Sequence, residues 1–320
     1  MKILKRIFII IAILIALVVI VLVTILKMVS YRNNHYYKYT KSNMPIENKY
    51  TQLGPLNVSY AEFETEDICK KQEVWFPSEI ENSEKRYPLI ILANGTGVPA
   101  SKYKEVFKHL ASWGFIVVGN EDENSRTGAS SALSLDYMLM LNDNNSTEFY
   151  EKIDVNNIGI SGHSQGGVGA INAVTNQQNG SLYKAMYTAS ATSSFWGQES
   201  QFGTEWSYDV SKVGIPYFMV AGTEYFDAGT ATDKTATSGQ GICPLWSLKE
   251  NYNNMLDEMA KIMARRTGVE HGDMLYRADG YMTAWFMYWL KDDKEAKEAF
   301  FGTNAEILNN ANWQDIFSSL

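Results

Sequence analysis

The residues best suited to chemistry lie at positions 162–166, where GHSQG follows the pattern GxSxG. The apolar run from Ile158 to Ser161 precedes this pattern, and a helix-forming stretch follows it. A serine in a tight turn between a strand and a helix is the setting of a nucleophile elbow, where glycines leave room beside the hydroxyl. A glycine-rich turn without chemistry is the simpler alternative. The flanking strand and helix favour Ser164 as a nucleophile for acyl transfer.

A serine nucleophile needs a neighbouring base, and the chain offers four histidines: His35, His109, His163 and His271. His35 precedes the predicted domain, and His163 occupies the same rigid turn as the serine. His109 falls two turns into a predicted helix, about 12 Å from the sheet edge. His271 lies in a loop between the last predicted strand, near Ile262 to Arg265, and the apolar C-terminal helix, so we expect it to be the base. A hydrogen-bonded loop histidine is the alternative.

The base must be held in one tautomer by a carboxylate, which in this architecture follows the serine and precedes the histidine. The loop after the predicted strand Tyr217 to Ala221 contains Glu224, Asp227 and Asp233. Asp227 is the first choice, because it lies a few residues beyond the strand end. Glu224 remains the alternative acid.

The loop after the predicted strand Leu89 to Ala93 is expected to supply half of an oxyanion hole. The backbone N–H of Thr96, together with that of Gln165 after the serine, can bind the developing negative charge.

The same loop has a competing interpretation as a dinucleotide-binding turn. Gly95, Gly97 and Ala100 form GxGxxA between a strand and a helix, and Glu121 follows the next predicted strand. Pro99 stiffens this turn, and the strand before it is not predicted to be the first of the sheet. We therefore favour oxyanion binding over cofactor binding.

The elements that must position these residues alternate between short apolar runs and helical stretches. The runs are Leu89 to Ala93, Phe115 to Gly119, Ile158 to Ser161, Ala185 to Ala189 and Tyr217 to Ala221. Such alternation predicts an α/β fold with a mostly parallel central sheet flanked by helices. Val58 to Phe63 and Gln72 to Phe76 are expected to open the sheet as a pair of strands.

Composition and charge narrow the class of protein. The 320 residues are 45% hydrophobic and only 20% charged, which excludes a disordered chain. Residues 1–50 carry a net charge of +7 and the remaining 270 carry −15. The acidic part repels phosphate backbones, so no nucleic-acid partner is expected. The two cysteines, Cys69 and Cys243, exclude a small disulfide scaffold; they either pair or remain buried thiols.

The N-terminal segment predicts a membrane anchor. Residues 7–26 contain no charge and span about 30 Å as a helix, the thickness of a bilayer core. The run is too long for an ordinary signal peptide, and no small-residue cleavage site follows it. We therefore expect a tail and signal anchor at 1–26, a tether at 27–50 and a catalytic domain at 51–320.

Basic residues flank this segment on both sides, so positive charge alone does not set its orientation. The short basic tail is the easier end to retain inside the cell. We therefore expect a single-pass membrane protein with an extracytoplasmic catalytic domain.

Aromatic residues mark a candidate substrate wall. Trp196 and Trp206 lie in the loop after the predicted strand Ala185 to Ala189, at the edge where a cleft should open. Either they bind an apolar acyl group, or they pack within the loop.

These motifs together resemble the α/β-hydrolase superfamily, and within it the dienelactone hydrolase-like and cutinase or polyester-hydrolase-like esterases. The resemblance covers 87–290 and runs through YPLIILANGTG, GISGHSQGG, IPYFMVAGTEYFD and EHGDM. It implies a triad of Ser164, Asp227 and His271, oxyanion donors at Thr96 and Gln165, and no metal or organic cofactor. The connection at 223–244 is longer than is usual in this family.

The expected activity is hydrolysis of a small-molecule or polymeric ester through an acyl-enzyme. Two alternatives remain at this stage. One is a binding or adhesion module that keeps the fold without turnover. The other is a peptidase, thioesterase or transacylase that uses the same triad. The sequence does not define the oligomeric state.

Overall fold

The computed structural model describes residues 2–320 and contains one nine-stranded sheet. The strands are β1 (Val58–Glu64), β2 (Lys71–Pro77), β3 (Tyr87–Ala93), β4 (Ile116–Asn120), β5 (Ile153–His163), β6 (Tyr183–Ala189), β7 (Tyr217–Gly222), β8 (Lys261–Arg266) and β9 (Trp313–Ser318). Their order across the sheet is β1-β2-β4-β3-β5-β6-β7-β8-β9. The six strands from β4 to β8 in this order are parallel, and β1, β2 and β9 are antiparallel to their neighbours. The predicted α/β fold is confirmed.

The helices are α1 (Lys2–Asn33), α2 (Tyr36–Tyr39), α3 (Pro45–Thr51), α4 (Lys104–Ser112), α5 (Ala129–Asp143), α6 (Gln165–Asn176), α7 (Tyr225–Ala228), α8 (Leu245–Asn254), α9 (Met274–Arg277), α10 (Asp279–Lys291) and α11 (Lys294–Lys297). Helices α4 and α10 pack on one face of the sheet, and α5, α6 and α8 pack on the other. Strand β3 shows why both faces are covered: Ile90 and Leu92 enter one apolar core, and Leu89 and Ile91 enter the other.

Helix α1 stands apart from these two cores. Its stretch Ile3–Asn33 is long and apolar enough to cross a membrane, and its most apolar window is not buried against the rest of the protein. A buried core helix is therefore not the reason for its composition. A signal sequence near an N-terminus can meet the same criteria of length and composition.

The segment between α1 and β1 differs from the expected tether. Helices α2 and α3 pack onto the sheet domain, and Tyr36 and Tyr50 are buried at 3% and 0% exposure. The contacts of α3 are made with α10. Since partners such as His109, Trp113 and Tyr276 lie more than 60 residues away, the burial of these tyrosines leaves no periodic pattern in the local sequence.

Strand β9 at the C-terminal edge has no counterpart among the predicted strands. The burial of successive side chains along β9 alternates only weakly. The strand pairs with β8 on one side, and its other edge is open. Both cysteines are buried free thiols, so the alternative of a disulfide does not hold in this structure.

Candidate active site

The serine of the GxSxG pattern stands in a strained turn. Strand β5 ends at His163, α6 begins at Gln165, and Ser164 between them has φ +59° and ψ −122°. A side chain on Gly162 would place its Cβ 2.0 Å from the carbonyl oxygen of Gly166. One on Gly166 would meet the carbonyl oxygen of Ala93 at 2.1 Å. Both glycines are therefore required by close backbone approach, and the turn has the geometry of a nucleophile elbow.

Three side chains from distant parts of the chain meet at this turn. The hydroxyl of Ser164 donates to His271 Nε2 at 3.0 Å, and His271 Nδ1 donates to Asp227 Oδ1 at 2.7 Å. Because a carboxylate can only accept a hydrogen bond, the proton of this contact belongs to Nδ1. Nε2 can then accept from the hydroxyl of Ser164. The arrangement can take a proton from Ser164 and stabilise the positive charge that forms on the imidazole.

The carboxylate of Asp227 is fully buried and has partners on both oxygens. Its Oδ2 accepts from the backbone N–H of Gly222 at 2.6 Å and from the hydroxyl of Ser190 at 2.5 Å. Glu224, the alternative acid, is exposed and precedes α7, where its backbone N–H donates to the carbonyl oxygen of Val269. The structure thus brings Asp227, rather than Glu224, to the histidine.

The long connection at 223–244 leaves this carboxylate in place. Cys243 donates its backbone N–H to the carbonyl oxygen of Asp227 at 3.1 Å, and Gly229 pairs with Gln240 in a β-bridge. The Thr- and Gly-rich residues between Gly229 and Gln240 therefore form a surface loop that begins and ends beside Asp227. This loop includes exposed Asp233.

The two expected oxyanion donors lie next to each other and to the serine. Thr96 and Gln165 are joined by a hydrogen bond from Gln165 Nε2 to Thr96 Oγ1 at 3.0 Å. Gln165 is the first residue of α6, so its backbone N–H has no acceptor four residues earlier within the helix. Thr96 lines the same cleft as Ser164. The helix N-terminus adds a positive partial charge at this point.

The residues of the competing dinucleotide pattern make structural contacts within the protein. Glu121, which would bind a ribose in that interpretation, accepts from the backbone N–H of Ser101 at 3.2 Å. The hydroxyl oxygen of Tyr103 accepts a hydrogen bond from the backbone N–H of Gly95 at 3.1 Å. Both contacts brace the turn that carries Thr96.

A second histidine supports the first. The ring centroids of His163 and His271 are 4.7 Å apart, and His163 Nε2 donates to the backbone carbonyl oxygen of His271 at 2.8 Å. Burial, together with the nearby His271, lowers the pKa of His163 to about 4. His163 is therefore neutral at ordinary pH and supports the base loop without competing for the serine proton.

A cleft of about 490 Å³ opens above Ser164. Its apolar lining consists of Val98, Phe202, Trp206, Phe226 and Ile242. Trp206 is thus at the cleft, as expected. Trp196 instead stacks on Phe202 at 4.6 Å and donates its indole N–H to the carbonyl oxygen of Gly241. It supports the wall from behind.

Comparison with known proteins agrees with this architecture. A family model described as PET hydrolase-like matches residues 53–312. The chain belongs to the PET hydrolase-like family. This is an α/β-hydrolase family related to cutinases and dienelactone hydrolases, so the resemblance noted in the sequence is confirmed. Family membership indicates an ester-hydrolysing enzyme. No curated protein matches the chain.

Several residues of this PET hydrolase-like site were missed in the sequence. They are Ser190 behind the acid, His163 behind the base, and Thr192, Phe226 and Ile242 in the cleft. Ser190 carries one local signal, since it directly follows an apolar run at a predicted strand end. The others take their roles from loops that meet only in the folded chain.

Proposed function

We propose that the protein is a membrane-anchored serine hydrolase that cleaves carboxylic esters through an acyl-enzyme. The observation that carries this proposal is the 3.0 Å hydrogen bond between Ser164 Oγ and His271 Nε2 at the elbow, with Asp227 on the far side of the ring. Family membership supports ester hydrolysis independently of that geometry.

In the first step, Ser164 Oγ attacks the ester carbonyl carbon while its proton passes to His271 Nε2. The carbonyl oxygen takes the negative charge and accepts from the backbone N–H groups of Thr96 and Gln165. The intermediate then collapses, the bond to the alkoxy oxygen breaks, and His271 gives its proton to the departing alcohol.

In the second step, water attacks the acyl-enzyme. His271 accepts a proton from the water and returns one to Ser164 as the acid leaves. Asp227 orients the ring and stabilises the imidazolium. Gly222 and Ser190 hold its second oxygen in place. The apolar lining of the cleft suits an acyl or aryl group of a small or polymeric ester.

A substrate panel tests this reaction class. p-Nitrophenyl butyrate, a matched thioester and a matched anilide should be compared with the full-length chain and with Ser164→Ala. We expect ester hydrolysis that exceeds thioester and anilide hydrolysis and disappears in the variant. Preference for the thioester or anilide would indicate the related acyl enzymes instead. A folded chain with no turnover would indicate a binding module.

The anchoring part of the proposal rests on α1. We propose that residues 7–26 cross the bilayer once, that 1–26 form the tail and signal anchor, and that the catalytic part lies outside the cytoplasm. Protease treatment of intact cells should then remove the domain. Survival in intact cells together with loss in lysed cells would place it in the cytosol.

A further inference from the structure

The segment that follows α1 is docked on the loop that carries His271. The hydroxyl of Thr40 donates to the carbonyl oxygen of Tyr276 at 3.0 Å. The ring of Tyr36 lies 5.3 Å from that of Tyr276 and is 3% exposed. Tyr276 belongs to α9, which begins three residues after His271. The juxtamembrane segment and the loop of the base therefore form one packed unit.

This segment is also fixed at its other end. The backbone N–H groups of Ile46 and Glu47 donate to the carboxylate of Glu306 at 2.7 and 2.8 Å. The buried carboxylate of Glu47 in turn accepts from Trp313 Nε1 and Asn310 Nδ2, each at 2.7 Å. With both ends held, residues 36–51 cannot act as a free spacer between helix and domain.

The docking sets the height of the cleft above the apolar part of α1. Asp273 and Tyr276 line a groove together with Val29 and Arg32 of α1, while Gly272 lines the catalytic cleft. The apolar run ends at Leu26, and Val29 lies three residues further along, about 5 Å along the helix axis. The cleft is therefore next to the level where lipid headgroups would lie.

The rim of the cleft carries exposed aromatic side chains. Phe202 and Phe226 of the cleft wall are 51% and 57% exposed, and the neighbouring Tyr225 is 68% exposed. The ring of Phe226 lies 5.4 Å from that of His271. The loop of His271 leads into α9, which contacts the juxtamembrane segment through Tyr276. Exposed aromatic side chains are typical of the membrane interface.

Charge points to the same partner. The basic residues of the first 50 positions include Lys27, Arg32, Lys38 and Lys41, whereas the rest of the chain is strongly acidic. A polybasic juxtamembrane segment attracts anionic headgroups.

We infer that this enzyme takes its substrate from the bilayer that holds its own α1, and that the substrate is an amphiphilic lipid ester such as an acylglycerol. The inference rests on the proposed ester hydrolase activity and anchor. The docked segment keeps the cleft at the headgroup layer, where the ester bonds of such lipids lie. The apolar cleft of about 490 Å³ then receives the acyl chain.

A decoupling insertion tests this inference in the full-length chain. About 12 Gly and Ser residues between Asn33 and Asn34 give a flexible spacer of roughly 20 Å, which frees the docked unit from α1. The matched control carries the same insertion between Gly302 and Thr303, in an exposed turn. Each protein is reconstituted in vesicles of phosphatidylcholine and phosphatidylglycerol that contain a fluorogenic acylglycerol ester, and is assayed separately with membrane-permeant p-nitrophenyl butyrate.

We expect the 33/34 insertion to reduce hydrolysis of the vesicle-held ester at least fivefold and to change p-nitrophenyl butyrate hydrolysis less than twofold. The control insertion should change neither. Equal rates on the vesicle-held ester for both insertions would overturn the inference, as would no cleavage of that ester by an unmodified chain that cleaves p-nitrophenyl butyrate. Loss of both activities in the unmodified chain would instead refute the proposed function.

Discussion

Ser190 lies directly behind Asp227, on the side of the carboxylate that faces away from His271. Its hydroxyl donates to Asp227 Oδ2 at 2.5 Å, while Oδ1 accepts from the histidine. Ser190 holds a left-handed backbone with φ +52° and is fully buried. A non-glycine residue in that conformation is strained, so the fold keeps a strained backbone at the residue that supports Asp227.

Removal of the Ser190 hydroxyl should leave Asp227 less firmly positioned. Ser190→Ala is expected to lower kcat about tenfold with KM unchanged, since a hydrogen bond to a charged group contributes about 1.5–3 kcal/mol and Gly222 keeps part of the support. Steady-state kinetics on p-nitrophenyl butyrate measures this.

Two further variants separate the hydroxyl from its surroundings. Ser190→Gly should show the same loss, because glycine accepts the left-handed backbone. Ser193→Ala removes another buried hydroxyl, one without a hydrogen-bond partner, and should leave kcat unchanged. Equal kcat in Ser190→Ala and the unmodified chain would show that Ser190 does not position Asp227.

The choice between the two candidate acids gives a second prediction. Asp227→Asn should lower kcat by about 10³–10⁴, because the amide no longer holds His271 in the required tautomer. Glu224→Gln, a change of the same kind at an exposed position in the same turn, should alter kcat less than twofold. A larger loss in Glu224→Gln than in Asp227→Asn would reverse the assignment.

The buried histidines predict an acid-sensitive fold. Burial lowers the pKa of His163 and of His109 to about 4, against about 6.5 in an unfolded chain. Between these values only the unfolded state binds the proton, so the stability that each neutral ring contributes is complete above pH ~6.5. It declines as the pH falls towards 4, by about 2 kcal/mol per histidine near pH 5.

Urea unfolding of the detergent-solubilised full chain at pH 7.5 and 5 measures this loss. His163→Gln should remove about half of the part that arises from these two histidines, and His109→Gln should remove the other half. If His163→Gln and the unmodified chain lose the same stability on acidification, His163 is not the group that titrates.

Features that depend on local spacing could be predicted from the sequence. Patterns of a few consecutive residues identify the GxSxG turn, the parallel apolar strands and the helix faces. The fold and the position of Ser164 can therefore be predicted from them. The acid could be narrowed to one loop, because strand ends meet at one sheet edge. Its distinction from Glu224 needed the structure, since only burial separates two carboxylates three residues apart.

Features that depend on long-range packing could not be predicted. Tyr36 and Tyr50 lie in a polar stretch whose partners, such as Trp113 and Tyr276, come from distant parts of the chain, so the local sequence predicts only a tether. His163 and Phe226 meet His271 only because three loops converge at the cleft. Neither spacing nor composition records such contacts.

Covalent labelling tests the central claim most directly. The full-length protein should be treated with a small fluorophosphonate, and the modified residue mapped by peptide mass spectrometry. We predict one adduct per chain, on Ser164, that is absent in Ser164→Ala and forms at least 100-fold more slowly in His271→Ala. A folded chain that takes up no label, or an adduct that persists in Ser164→Ala, would contradict a nucleophilic Ser164 activated by His271.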